Sequence, residues 1–100
     1  MSKFLYIAEY RGFGQSPNGG AVDVAPSEML ALQKVDFTAA HAESNQLNDL
    51  TQMIELIADT AGNFVLGSAP TATTANQLLP ANVYKRISVP LKSGLKISIV

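Results

Sequence analysis

Between Phe64 and Tyr84 the chain carries no charge, yet Gly67, Pro70 and Pro80 divide the stretch into pieces too short for an ordinary helix. The same interruptions exclude a membrane-spanning helix, which needs roughly 20 consecutive apolar residues. What remains for FVLGSAPTATTANQLLPANVY is a set of short strands and turns. Its alanines and threonines are small enough to lie flat on another surface.

The rest of the chain follows the same grammar. KFLYIAEY, residues 3 to 10, alternates Phe4, Tyr6 and Ala8 with Leu5, Ile7 and Glu9, and a strand so apolar on both sides expects cover on both faces. RGFGQSPNGGAVDVAP breaks any regular element and reads as a long loop. LALQKVDF alternates and is read as a strand; TAAHAESNQLNDL promises at most a helical turn or a polar loop, because Ser44, Asn45, Asn48 and Asp49 compete for local backbone groups. QMIELIA and NFVLG around DTAG read as a β-hairpin. Asn76 to Leu79 is a short strand, Pro80 to Asn82 a turn, and VYKRISVP a strand. LKSG is a second turn with Gly94 suited to positive φ, and LKISIV closes the chain with Leu95, Ile97 and Ile99 on one side.

Short strands punctuated by Gly and Pro specify an all-β fold, a small antiparallel sandwich or barrel with an extended N-terminal strand or arm and long loops. With 100 residues, 47% of them hydrophobic, the chain has material for one core. Residues 1–28 are expected to form the N-terminal strand and glycine-rich arm or loop, and residues 29–100 the sandwich or barrel, all within one domain. So small a domain hides only about 60–65% of the surface its unfolded chain exposes, which favours support from partner subunits.

Charge and motif narrow the function further. Seven basic and eight acidic residues, scattered along the chain, leave no electrostatic footprint for nucleic acid or anionic lipid. Arg11, Lys85, Arg86 and Lys96 form no stripe with interleaved aromatics. The absence of cysteine excludes disulfides and thiolate metal sites. MSKFLYIAEYRG lacks the long apolar core of a signal peptide, so the chain is expected to be made in the cytosol.

Candidate chemistry is sparse. GFGQSPNGG has Pro17 where a dinucleotide fingerprint needs its third glycine, and it lacks the Gly-Lys-Ser/Thr of a P-loop. His41 is the one histidine; with Ser44 as nucleophile it would still lack an orienting carboxylate, Glu43 being too near in sequence. Asp36, His41, Glu43 and Asp49 lack metal-ligand spacing. Glu9, Asp36, Glu55 and Asp59 read as solvated or turn-capping carboxylates. No catalytic residue, cofactor or metal site is therefore expected.

The half from QMIELIADTAGNF to KSGLKISIV resembles a set of small structural proteins of tailed bacteriophages. The likeness is carried by the strand Phe64 to Gly67, by Pro70 to Thr73, by Leu79, Ala81 and Asn82, by Val89 and Pro90, and by Gly94 to Val100. KFLYIAEY also looks like that group's opening strand. The resemblance implies a non-enzymatic virion component, a capsid decoration or cement protein that stabilises the head by docking on the major capsid protein. It would be made in the host cytoplasm and would be a homo-oligomer, a trimer before a dimer. Expected interface residues are Phe4, Tyr6, Tyr10, Phe13, Pro70, Thr71, Thr73 and Tyr84, with the N-terminal strand reaching a neighbouring subunit and residues 68 to 77 meeting the capsid. Two alternatives are a carbohydrate- or receptor-binding module of a fibre or tail, using exposed Tyr10, Phe13 or Tyr84, and a tail or head-tail accessory protein.

Overall fold

A computed structural model describes residues 2–11 and 29–100. Among them are eight strands and no helix: β1 (Phe4–Tyr10), β2 (Met29–Asp36), β3 (Ala42–Glu43), β4 (Met53–Ala58), β5 (Gly62–Gly67), β6 (Gln77–Leu79), β7 (Lys85–Ser88) and β8 (Lys96–Ile99). They form two four-stranded sheets, ordered β2-β1-β4-β7 and β3-β8-β5-β6, and all the strand pairings within them are antiparallel.

Alternation explains which side of each strand is buried. Leu5 and Ile7 of β1, Val35 of β2 and Ile54, Leu56 and Ala58 of β4 point inward from the first sheet. They meet Phe64, Leu79, Ile97 and Ile99 of the second sheet in one cluster, so the sheets pack face to face as a sandwich. Each fully buried Leu or Ile contributes about 1.5–3 kcal/mol relative to exposure.

The N-terminal strand forms as expected. Leu5 pairs with Val35 on one side and with Ala58 on the other, so both edges of β1 are filled from within the chain. A sandwich built from residues 29–100 alone would lack this central strand. The glycine-rich arm or loop, with Phe13, lies outside the described residues.

The expected hairpin of β4 and β5 is a crossing between sheets. Local alternation and the DTAG turn suit either arrangement; contacts distant in sequence decide it. The Asp59 amide donates to the Phe4 carbonyl (3.1 Å) and its carboxylate accepts the Phe4 amide (2.9 Å), which binds the corner to the first sheet. At Gly62 the backbone then approaches the last strand so closely that a Cβ would lie 3.0 Å from the Val100 carbonyl oxygen. Except at β1–β2 and β5–β6, every connection changes sheet. The expected turns are present, with Asn82 at φ 60° and Gly94 at φ 68°, where glycine adopts a left-handed conformation without strain.

Candidate interaction surface

The outer faces of the two sheets carry the side chains that the core does not use. On the second sheet, Ser98 points away from the core between Ile97 and Ile99 yet is fully buried. Its cover is the chain's own loop. Pro70 packs where a Cβ on Gly67 would meet it at 3.5 Å, and the Ala72 amide donates to Ser98 Oγ at 2.9 Å. Asn76 fixes the loop's far end, accepting the Thr73 amide at 2.6 Å on its side-chain oxygen and Asn63 Nδ2 at 3.0 Å on its carbonyl. The uncharged segment thus lies flat on its own sheet.

The first sheet's outer face has no such cover among the described residues. Tyr6, Ala8 and Tyr10 of β1, Met29 and Leu32 of β2, and Glu55 and Ile57 of β4 line a shallow groove of about 310 Å³ together with Tyr84. Leu32 is 61% exposed, Tyr84 63% and Met29 56%. Charges sit around the rim. Arg86 Nε donates to Glu55 at 2.9 Å across the β4–β7 pair, and Lys34 Nζ lies 4.1 Å from the centre of the Phe4 ring. An apolar centre with tyrosines and a charged rim is the anatomy of a surface that buries a partner.

Of the residues expected at an interface, Tyr6, Tyr10 and Tyr84 come together around this groove, with Phe4 on the same face. Pro70, Thr71 and Thr73 belong to the covering loop, where Pro70 is buried and the two threonines are exposed. Met29, Leu32 and Ile57 join the groove without having been singled out. Their signal was strand parity: Tyr6 pairs with Ile57, Ala8 with Leu32, and Tyr10 with Met29.

Glu9 departs from its expected solvated role. It is 1% exposed and points inward with Leu5 and Ile7. One oxygen accepts the Asn48 amide (2.7 Å) and the Thr51 hydroxyl (2.9 Å), and the other accepts Gln33 Nε2 (3.0 Å). The rest of the Gln33 amide bonds Asn45, accepting its N–H at 2.8 Å and donating to its carbonyl at 3.3 Å. This carboxylate therefore clasps residues 45–51 against the first sheet. Buried polar groups persist when their hydrogen bonds are made, as here.

His41 is exposed, and Ser44 offers it no free hydroxyl. Ser44 Oγ donates to the Asn45 carbonyl and accepts the Ile97 amide, both at 2.9 Å. Among the described residues no cluster of three or more histidine, aspartate or glutamate side chains is placed to hold a metal ion, and no helix is long and apolar enough to cross a membrane. Asp36 has its carboxyl held below the usual range by the Thr38 hydroxyl first and the Thr38 amide second, with Lys34 adding attraction. No protein-family model, curated protein or solved structure matches the chain.

Proposed function

We propose that this chain is a non-enzymatic structural protein of a bacteriophage virion, a decoration or cement protein that docks on the major capsid protein through the outer face of its first sheet. The observation that carries the docking part is the contrast in cover: one sheet face is closed by the chain's own loop, while the other leaves Met29, Leu32 and Tyr84 in solvent around a tyrosine-lined groove. Exposed apolar side chains gathered in one place cost solubility, and occupation by a partner removes that cost. The virion part rests on the resemblance of the second half of the sequence to small tailed-phage structural proteins.

The chemistry of the groove favours a protein partner over a glycan. Tyr6, Tyr10 and Tyr84 could stack on sugar rings, and Glu55 could bind hydroxyls, which supports a carbohydrate-binding module as the second reading. However, Ala8, Met29, Leu32 and Ile57 supply the rest of the lining and offer nothing to a hydroxyl-rich ligand. They suit apolar side chains of another protein.

Co-sedimentation with phage heads stripped of this chain tests the proposal. Wild type is expected to pellet with the heads, and Leu32→Ser with Tyr84→Ser to lose about 30-fold or more in affinity, the scale of removing a central anchor. Undiminished binding by the folded double variant would refute docking through this face. Failure of wild type to bind, together with glycan-array binding that the same substitutions abolish, would favour the second reading.

A further inference from the structure

We propose that the free edge of β2 pairs with β2 of a second copy of this chain, antiparallel and about a two-fold axis, so that two first sheets become one continuous sheet. The inference concerns the isolated chain and stands apart from the identity of any virion partner.

Hydrogen-bond parity identifies the groups available. The Phe37 amide donates to the Lys3 carbonyl at 2.9 Å, and the register continues through Val35 with Leu5 and Gln33 with Ile7. In an antiparallel ladder alternate residues turn their peptide groups to opposite edges. Odd-numbered residues of β2 therefore face β1, while the N–H and C=O groups of Leu32, Lys34 and Asp36 face away from it. Among the described residues β2 ends its sheet, and its edge borders an open groove of about 410 Å³ shared with Ala42, Glu43, Ser44 and Asn45. The neighbouring edge is sealed at Asn45, whose backbone groups are both taken by the Gln33 amide. Among the described residues the edge of β2 has no comparable seal.

Charge then selects the register. A two-fold pairing must match outward peptide groups, which places Lys34 opposite Leu32, Lys34 or Asp36 of the other copy. The first leaves both charges unmatched, and the second opposes like charges, which is destabilising. The third sets Lys34 against Asp36 twice by symmetry and centres the pairing on Val35. A lysine on an exposed edge normally deters strand addition. Here an antiparallel copy brings the opposing acid into register, so Lys34 deters other strands more than its own.

The pairing is short. Beyond Asp36 the Thr38 amide turns back to the Asp36 carboxylate at 2.9 Å and is unavailable to extend a ladder. Lys34 must also leave its position over the Phe4 ring. A weak, concentration-dependent dimer is expected, and a two-fold contact closes at two copies, which favours the dimer over the trimer.

Sedimentation velocity of the full chain from about 10 μM to about 1 mM should show a dimer fraction rising with concentration. Lys34→Asp and Asp36→Lys, each creating two like-charge oppositions, should each weaken the dimer by about tenfold or more. The double variant, with the charges exchanged, should restore it, and thermal melts establish that each variant is folded. A wild type that stays monomeric throughout, single variants that associate as wild type does, or a folded double variant that fails to recover would each overturn the proposal.

Discussion

On the second sheet Ser98 is fully buried beneath Ala72, whereas on the first sheet Leu32 and Tyr84 stand mostly in solvent. Both faces arise from the same alternation of inward and outward residues, so the sandwich core does not explain the difference. The uncharged loop does: it has enough chain, and side chains small enough, to fold back over β5 and β8. The first sheet's outer face carries Lys34, Asp36, Glu55 and Arg86 at its margins, and the covered sheet carries its own pair, Lys96 Nζ 3.3 Å from Glu43, beside the loop. The uncharged segment of this sequence therefore marks self-burial on the second sheet.

The largest expected effect lies on the inner side of the open sheet. Glu9→Ala leaves the Asn48 amide and the Thr51 hydroxyl without their acceptor and takes one of the two acceptors of Gln33 Nε2, and should cost about 3 kcal/mol or more in urea unfolding. A loss below about 1 kcal/mol would show that the clasp is not needed to hold residues 45–51 in place.

The two outer faces are separated directly by a smaller pair of effects. Ser98→Ala strands the buried Ala72 amide and should destabilise by about 1–3 kcal/mol. Leu32→Ser and Tyr84→Ser, on exposed positions, should each stay within about 0.5 kcal/mol of wild type. Equal losses on the two faces would erase the contrast between a face that stabilises the monomer and one that does not.

The smallest effect is a pH dependence at the open sheet's edge. Because Thr38 and Lys34 hold the Asp36 carboxyl below its ordinary value of 3.8, its contribution is present above that value and is lost as pH falls through the lowered one. The stability difference between wild type and Asp36→Asn should be constant at neutral and mildly acid pH and shrink in strong acid. A difference that instead shrinks as pH rises toward neutrality would have the wrong sign.

Part of this fold was legible from alternation. The facing of β8 follows from residues two apart and the left-handed turn at Gly94 from residue type, whereas β1 is apolar on both sides and β2 has Leu32 opposite Val35, so alternation alone did not say which side of either is buried. The β4–β5 crossing was not legible, because the bonds that fix Asp59 to Phe4 span 55 residues. Glu9 shows the same division. It shares parity with Leu5 and Ile7, yet it reads as solvated in the sequence because its partners Asn48 and Thr51 lie 39 and 42 residues away. Tyr6, Tyr10 and Tyr84 were identifiable as aromatics; their meeting around one groove required the register of β1 with β2 and β4 and the placement of Tyr84 beside it.

Hydroxyl-radical footprinting of the free chain and of the chain assembled on phage heads tests the role of the open face most directly. Met29, Leu32 and Tyr84 should label strongly in the free chain and be protected on the head, while Leu78, exposed on the covered sheet, labels equally in both. Protection of Leu78 with undiminished labelling of Met29, Leu32 and Tyr84 would contradict the account.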